Sequence, residues 1–112
     1  MNLQQLFRAT ETIRKHANER EFPAQVQSIF LAIASAKNQD MRQGDLQEIC
    51  GMSASSVSRN ISWLGPRNKL KRRAGLRWVE IYEDPQDYKR KRVRLTALGR
   101  LVAQEAISLE QA

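Results

Sequence analysis

Apolar residues near the N-terminus recur at helical spacing. Leu3, Leu6, Phe7, Ile13 and Ala17 fall close to a 3.6-residue period, with Thr10 and Arg14 in the gaps, which predicts a helix over residues 2–19. Glu21-Phe22-Pro23 interrupts that pattern, and Pro23 suits the first turn of a following helix. There Val26, Ile29, Phe30 and Ile33 form an i, i+3, i+4, i+7 stripe that runs to about Lys37, before a loop at Asn38-Gln39-Asp40. A short helix is expected over Gly44–Cys50, with Leu46, Ile49 and Cys50 facing inward. Gly51 then suits the left-handed residue that ends a helix. Ser53 is a good N-cap for the next one, in which Val57, Ile61 and Leu64 repeat on one side. Ala54, Ser55, Ser58, Arg59 and Ser62 lie mostly opposite, with Asn60 toward one flank, and Gly65-Pro66 stops the helix.

Beyond residue 75 the period falls to two. Leu76–Tyr82 and Arg90–Leu95 alternate as strands do, with Val79 and Ile81 sharing one face and Val93 and Leu95 sharing another. Glu83–Lys89 reads as a seven-residue loop between them, longer than a tight two-residue turn. Thr96 can cap a last helix over 97–110, striped by Leu98, Leu101, Val102, Ala106 and Leu109. The short helix, the Gly51 turn and the Ser53 helix make a helix-turn-helix over 44–64, and the hairpin 76–95 that follows makes a wing. The expected architecture is mainly α (α+β), one domain over 1–112, with no repeat, low-complexity tract or internal linker.

Charge changes this picture by its location. The formal net charge is +7, and the stretch from Gly65 to Thr96 alone holds eleven basic residues against four acids. A localised positive surface is what a polyanion needs, because neutralising phosphates releases condensed counterions. The two parts of the motif agree with that partner. A slim helix with small hydrogen-bonding groups outward fits a major groove, where Arg59 is the natural candidate for guanine O6/N7 or a phosphate. Arg90, Arg92 and Arg94 alternate along one strand, so they project from one side at about 6.6 Å spacing and could follow a phosphate backbone. A loop tipped by Lys89 and Arg90 could enter the adjacent minor groove. The candidate DNA-binding residues are Ser53, Ser55, Ser56, Ser58, Arg59 and Ser62 on the helix, Arg67, Lys69, Arg72 and Arg73 in the connection, and Lys89, Arg90 and Arg92 in the wing.

Other chemistries find little footing. Cys50 excludes an intramolecular disulfide, and with the lone His16 it cannot make up a zinc site, so a buried structural thiol is expected rather than a redox sensor. Trp63 and Trp78 read as core or rim residues, and His16 as solvent-facing. No phosphate-cradling loop, metal cluster or nucleophile-base pattern appears, so neither enzymatic activity nor a cofactor is expected. No apolar run approaches the ~20 residues of a membrane span and no signal peptide is visible, so the expected location is cytoplasmic.

The run from Asp84 to Gly99, DPQDYKRKRVRLTALG, resembles the wing signature of the MarR (multiple antibiotic resistance regulator) family, D-P-x-D-x-R, five residues, then L-T-x-x-G. Met52–Arg59 resembles the opening of the family's recognition helix, so the likeness extends from about Gly44 to Gly99. It implies a winged-helix homodimer that regulates transcription, with dimer contacts from residues 2–19 and 97–110. It also implies that the aspartate at Asp87 braces the wing's basic residues, and that Arg90 stands in for an arginine the family places at Lys89. Three departures stand out: the connection Gly65–Gly75 is longer and more basic, Asn60 replaces an apolar residue, and no second C-terminal helix follows. The shortened end argues against a small-molecule effector, and the compact form resembles regulators of mobile elements such as bacteriophages, hence a bacterial or phage-infected host. The expected function is therefore sequence-specific duplex-DNA binding at an operator by a homodimeric repressor. Rival readings are a winged-helix protein-interaction module that binds polymerase or replication proteins, and a replication initiator of a mobile element.

Overall fold

A computed structural model of the chain describes residues 1–18 and 21–111, the side chains of 109–111 excepted. The elements run α1 (Leu3–Ala17), α2 (Ala24–Ser35), β1 (Asp40–Arg42), α3 (Gln43–Cys50), α4 (Ala54–Leu64), β2 (Arg67–Asn68), β3 (Arg73–Ala74), β4 (Val79–Asp84), β5 (Asp87–Leu95) and α5 (Ala97–Gln111). This is the mainly helical α+β winged-helix arrangement that the sequence predicts. No helix among the described residues is long and apolar enough to cross a membrane.

Local chemistry sets the helix boundaries. Asn2 and Gln5 form a reciprocal capping box at the start of α1. The Ser53 hydroxyl accepts from the Ser56 amide at 3.2 Å and caps α4. Gly51 closes α3 at φ +62°, as its position after Cys50 predicts. The α2 stripe of Val26, Ile29, Phe30 and Ile33 is wholly buried, as are Val57, Ile61 and Leu64 of α4. Trp78 joins this core between Phe22 and Phe30, with ring centroids 6.0 and 5.0 Å away, and Trp63 is also buried. In α1 only Ile13 and Ala17 of the predicted stripe are buried, while Leu3, Leu6 and Phe7 face outward. Leu109, the last of the α5 stripe, lies outside the described side chains.

The strands differ most from expectation. Asp40, expected in a loop, begins β1, which pairs with β5 in a three-stranded antiparallel sheet of order β1-β5-β4. The first wing strand starts at Val79 rather than Leu76, because Arg77 adopts a left-handed backbone (φ 62°) that no strand accommodates. That conformation is held by hydrogen bonds from the Arg77 amide to the Gly65 carbonyl and from the Thr96 hydroxyl to the Arg77 carbonyl. Val79 and Ile81 share one face, opposite Leu95 and Val93, as the alternation predicts, but Ile81 is 42% exposed because β4 forms the sheet's outer edge. The expected seven-residue loop is a two-residue turn at Pro85-Gln86, braced by the Asp84 carboxylate accepting the Gln86 amide at 2.9 Å. The extra residues enter β5 instead. Pairing shifts from Glu83↔Lys91 to Asp84↔Asp87, leaving Tyr88, Lys89 and Arg90 without partners on β4. Ile49, expected to face inward, is 66% exposed, and Cys50 is half-buried, because two-turn α3 directs only Leu46 into the core.

Candidate nucleic-acid interface

The outward face of α4 is narrow. With Val57, Ile61 and Leu64 anchored below, Ser55, Ser58 and Arg59 are exposed, and Ser56 and Ser62 are half-buried. Two hydroxyls already serve the backbone: exposed Ser53 caps the helix, and Ser62 donates to the Arg59 carbonyl at 2.8 Å. Asn60, which the spacing puts toward a flank, is buried. Its amide donates to the Gln25 side chain at 3.2 Å, so it ties α4 to α2. The Arg59 guanidinium has no partner among the described residues. This face can dock in a groove with one free charged fork and several small polar groups.

The wing's arginines are not an open row. Asp40, Arg42, Glu80, Tyr82, Asp84, Arg92 and Arg94 share one sheet face, by the registers Asp40↔Arg94↔Glu80 and Arg42↔Arg92↔Tyr82. Arg92 donates to Asp40 at 3.0 Å and lies 3.7 Å from Asp84. Arg42 donates to Asp84 at 3.1 Å. Arg94 pairs with Glu80 and lies 4.4 Å over the Tyr82 ring, while the Tyr82 hydroxyl donates to Asp40. Burial, then the Asp40 carboxylate, push the Tyr82 phenol up. The bond to Asp40 holds Arg92 more firmly protonated. Asp84 is buried, and its carboxyl is held down first by the Gln86 amide and then by Arg42.

Farther along the wing, Lys89, Arg90 and Lys91 are exposed across a cleft from Arg42, Gln43, Gly44, Asp45 and Gln47. Arg90 contacts Asp87 at 3.2 Å. Sequence reasoning missed the role of Asp40, Arg42 and Tyr82. The available signal was an alternation of Glu80, Tyr82 and Asp84 facing alternating arginines across a hairpin.

The connection after α4 is itself structured. β2 and β3 pair through Arg67↔Ala74 and Asn68↔Arg73. Buried Asn68 accepts the Lys71 amide at 3.2 Å, and Lys71 lies 5.1 Å over the Trp63 ring. Arg67, Lys69, Arg72 and Arg73 are exposed on this small hairpin. The structure thus brings the helix residues together on α4 and separates the remaining basic candidates into two hairpins.

A further space lies away from these residues. An apolar cavity of about 260 Å³ opens between α1, α2 and α5, lined by Leu6, Ile13, Phe30, Leu31, Ala103 and Ile107 among others.

No family model and no curated protein matches the chain. Solved structures do. The MepR–DNA complex of S. aureus superposes with a TM-score of 0.69 at 15% identity, over 96% of this chain and 77% of that one. A mutant E. coli MarR complexed with operator DNA gives 0.62 at 15% identity, over 95% and 68%. The heme sensor PefR of Streptococcus agalactiae, in complex with heme, gives 0.62 at 18% identity, over 97% and 68%. The chain has the winged-helix fold of these MarR-type regulators.

Proposed function

We propose that this protein is a sequence-specific duplex-DNA-binding transcriptional regulator that acts as a homodimeric repressor at an operator. The observation that carries the reading is α4, anchored by Val57, Ile61 and Leu64, whose outward face offers small hydroxyls and the unpaired Arg59. Likeness in fold to DNA-bound MepR and MarR supports it. Arg59 reads a base edge, Ser55 and Ser58 contact bases or phosphates, and Lys89–Lys91 reach the flanking backbone. The dimer forms through α1 and α5, where Leu3, Phe7, Leu98 and Leu101 are exposed. Two copies of α4 then address half-sites about 10 bp or a multiple apart.

Selection of bound fragments from random duplexes, followed by gel-shift titration, tests this. A palindromic winner is expected. Arg59→Ala should bind that winner roughly 5- to 150-fold more weakly, the worth of one bidentate base contact, with a much smaller effect on random duplex. Equal weakening on both would remove Arg59 as a base reader, and failure to bind any duplex at low salt would favour a protein-interaction role.

A further inference from the structure

We propose that the small hairpin β2–β3, rather than the wing, is the principal phosphate-binding arm, gripping the duplex backbone without regard to sequence. The inference rests on the DNA-binding reading above and adds which element supplies the electrostatic affinity.

The structure divides the basic stretch unequally. Residues 65–77 contain six basic residues and no acid, whereas residues 78–96 contain five basic residues and four acids. Those four acids include the wing's own counter-charges: Glu80 pairs with Arg94, Asp84 lies against Arg92, and Asp87 contacts Arg90. On the small hairpin Arg67, Lys69 and Arg72 are exposed and have no ion-pair partner among the described residues. Three exposed cations with no acid in residues 65–77 to compete for them are therefore available here. An internally paired arginine releases fewer counterions on meeting a phosphate, because its own carboxylate competes for the guanidinium.

The hairpin is also held in place. The last carbonyls of a helix lack partners within it. In α4 those of Trp63 and Leu64, and that of Gly65 beyond them, accept the amides of Leu76, Trp78 and Arg77 at 2.8–3.1 Å. Gly75 donates to Pro66 across the base of the hairpin at 3.1 Å. Three cations are thereby fixed to the end of the helix that is proposed to lie in the groove. A duplex backbone runs beside such a helix, which favours DNA over an acidic protein as the occupant.

The test is the salt dependence of binding by the full chain. Every phosphate that a variant leaves unneutralised shallows the slope of log K against log salt by about 0.9. The variant Arg67→Gln/Lys69→Gln/Arg72→Gln should shallow it by roughly 2.7, with affinity falling equally on selected and random duplex. Lys89→Gln/Arg90→Gln/Lys91→Gln should shallow it less. Leu70→Ser, at the exposed tip of the same hairpin, changes no charge and should leave the slope alone. The proposal is overturned if the first variant keeps the wild-type slope, if the wing variant shallows it more, or if Leu70→Ser matches the first. An unchanged DNA slope together with abolished binding to polyglutamate would reassign the hairpin to an acidic protein. Wild-type protein that binds no duplex would instead bring down the DNA-binding reading, and this inference with it.

Discussion

Asp84 shows what a single buried charge does in this protein. It accepts from the Gln86 amide with one oxygen and from Arg42 with the other, so it both closes the wing turn and ties the wing to β1. Its carboxyl pKa is lowered in the fold by those partners. A depressed folded value means its contribution is fully present above the ordinary carboxylate pKa of about 3.9 and fades as pH falls through the lower folded value. Asp84→Asn should therefore lower Tm at pH 7, and the gap to wild type should narrow below about pH 4. A gap that stays constant down to pH 2 would show that geometry rather than charge matters there. Residues differ in how legible they are. The buried faces of α2 and α4 follow from spacing alone, and so do the caps at Gly51 and Ser53. The pairing of Arg92 was not legible, because Asp40 stands 52 positions away and no local pattern links them.

At the scale of elements, the L-T-x-x-G run has a mechanical cause. Thr96 caps α5 by accepting the Gly99 amide at 3.1 Å, while its own amide donates to the Trp78 carbonyl at 2.9 Å. A Cβ at Gly99 would lie 2.1 Å from that same carbonyl oxygen. Gly99→Ala should push α5 off the segment before β4 and cost on the order of 1–3 kcal/mol, read as a lower Tm. An unchanged Tm would mean that α5 has freedom to move there. Helices were the more legible elements: α1, α2, α4 and α5 carry apolar stripes, and α3, with Leu46 alone buried, is marked by the Gly51 that ends it. The pairs β2–β3 and β1–β5 were not. Strands of two or three residues show no periodicity, and a short strand such as β1 forms because a distant strand offers it a partner. The tightness of the wing turn was hidden because Pro85-Gln86 lacks glycine or asparagine; the Asp84 side chain supplies what those residues usually would.

At the scale of the whole molecule, the terminal helices pack on each other and leave apolar side chains outward. His16 of α1 meets Glu105 of α5, and Leu3, Leu6, Phe7, Leu98, Leu101 and Ile107 stay between 43% and 84% exposed. Exposed apolar side chains on two helices packed against each other are the raw material of an interface. Phe7→Glu with Leu3→Glu should halve the mass seen by light scattering while the helical circular dichroism persists. Affinity for a palindromic site should then fall far more than affinity for an isolated half-site. An unchanged mass, or a wild-type protein already monomeric at micromolar concentration, would remove the dimer.

Trp78 fastens the end of α4 through its amide and the start of α5 through its carbonyl. Its backbone links the two helices through adjacent peptide units, so a shift of one bears on the other. In the proposed dimer, a partner gripping α5 would also be aiming α4. The separation of the two reading heads then becomes a question of how far α5 leans, and a small tilt at the grip is levered into a change of pitch along the DNA.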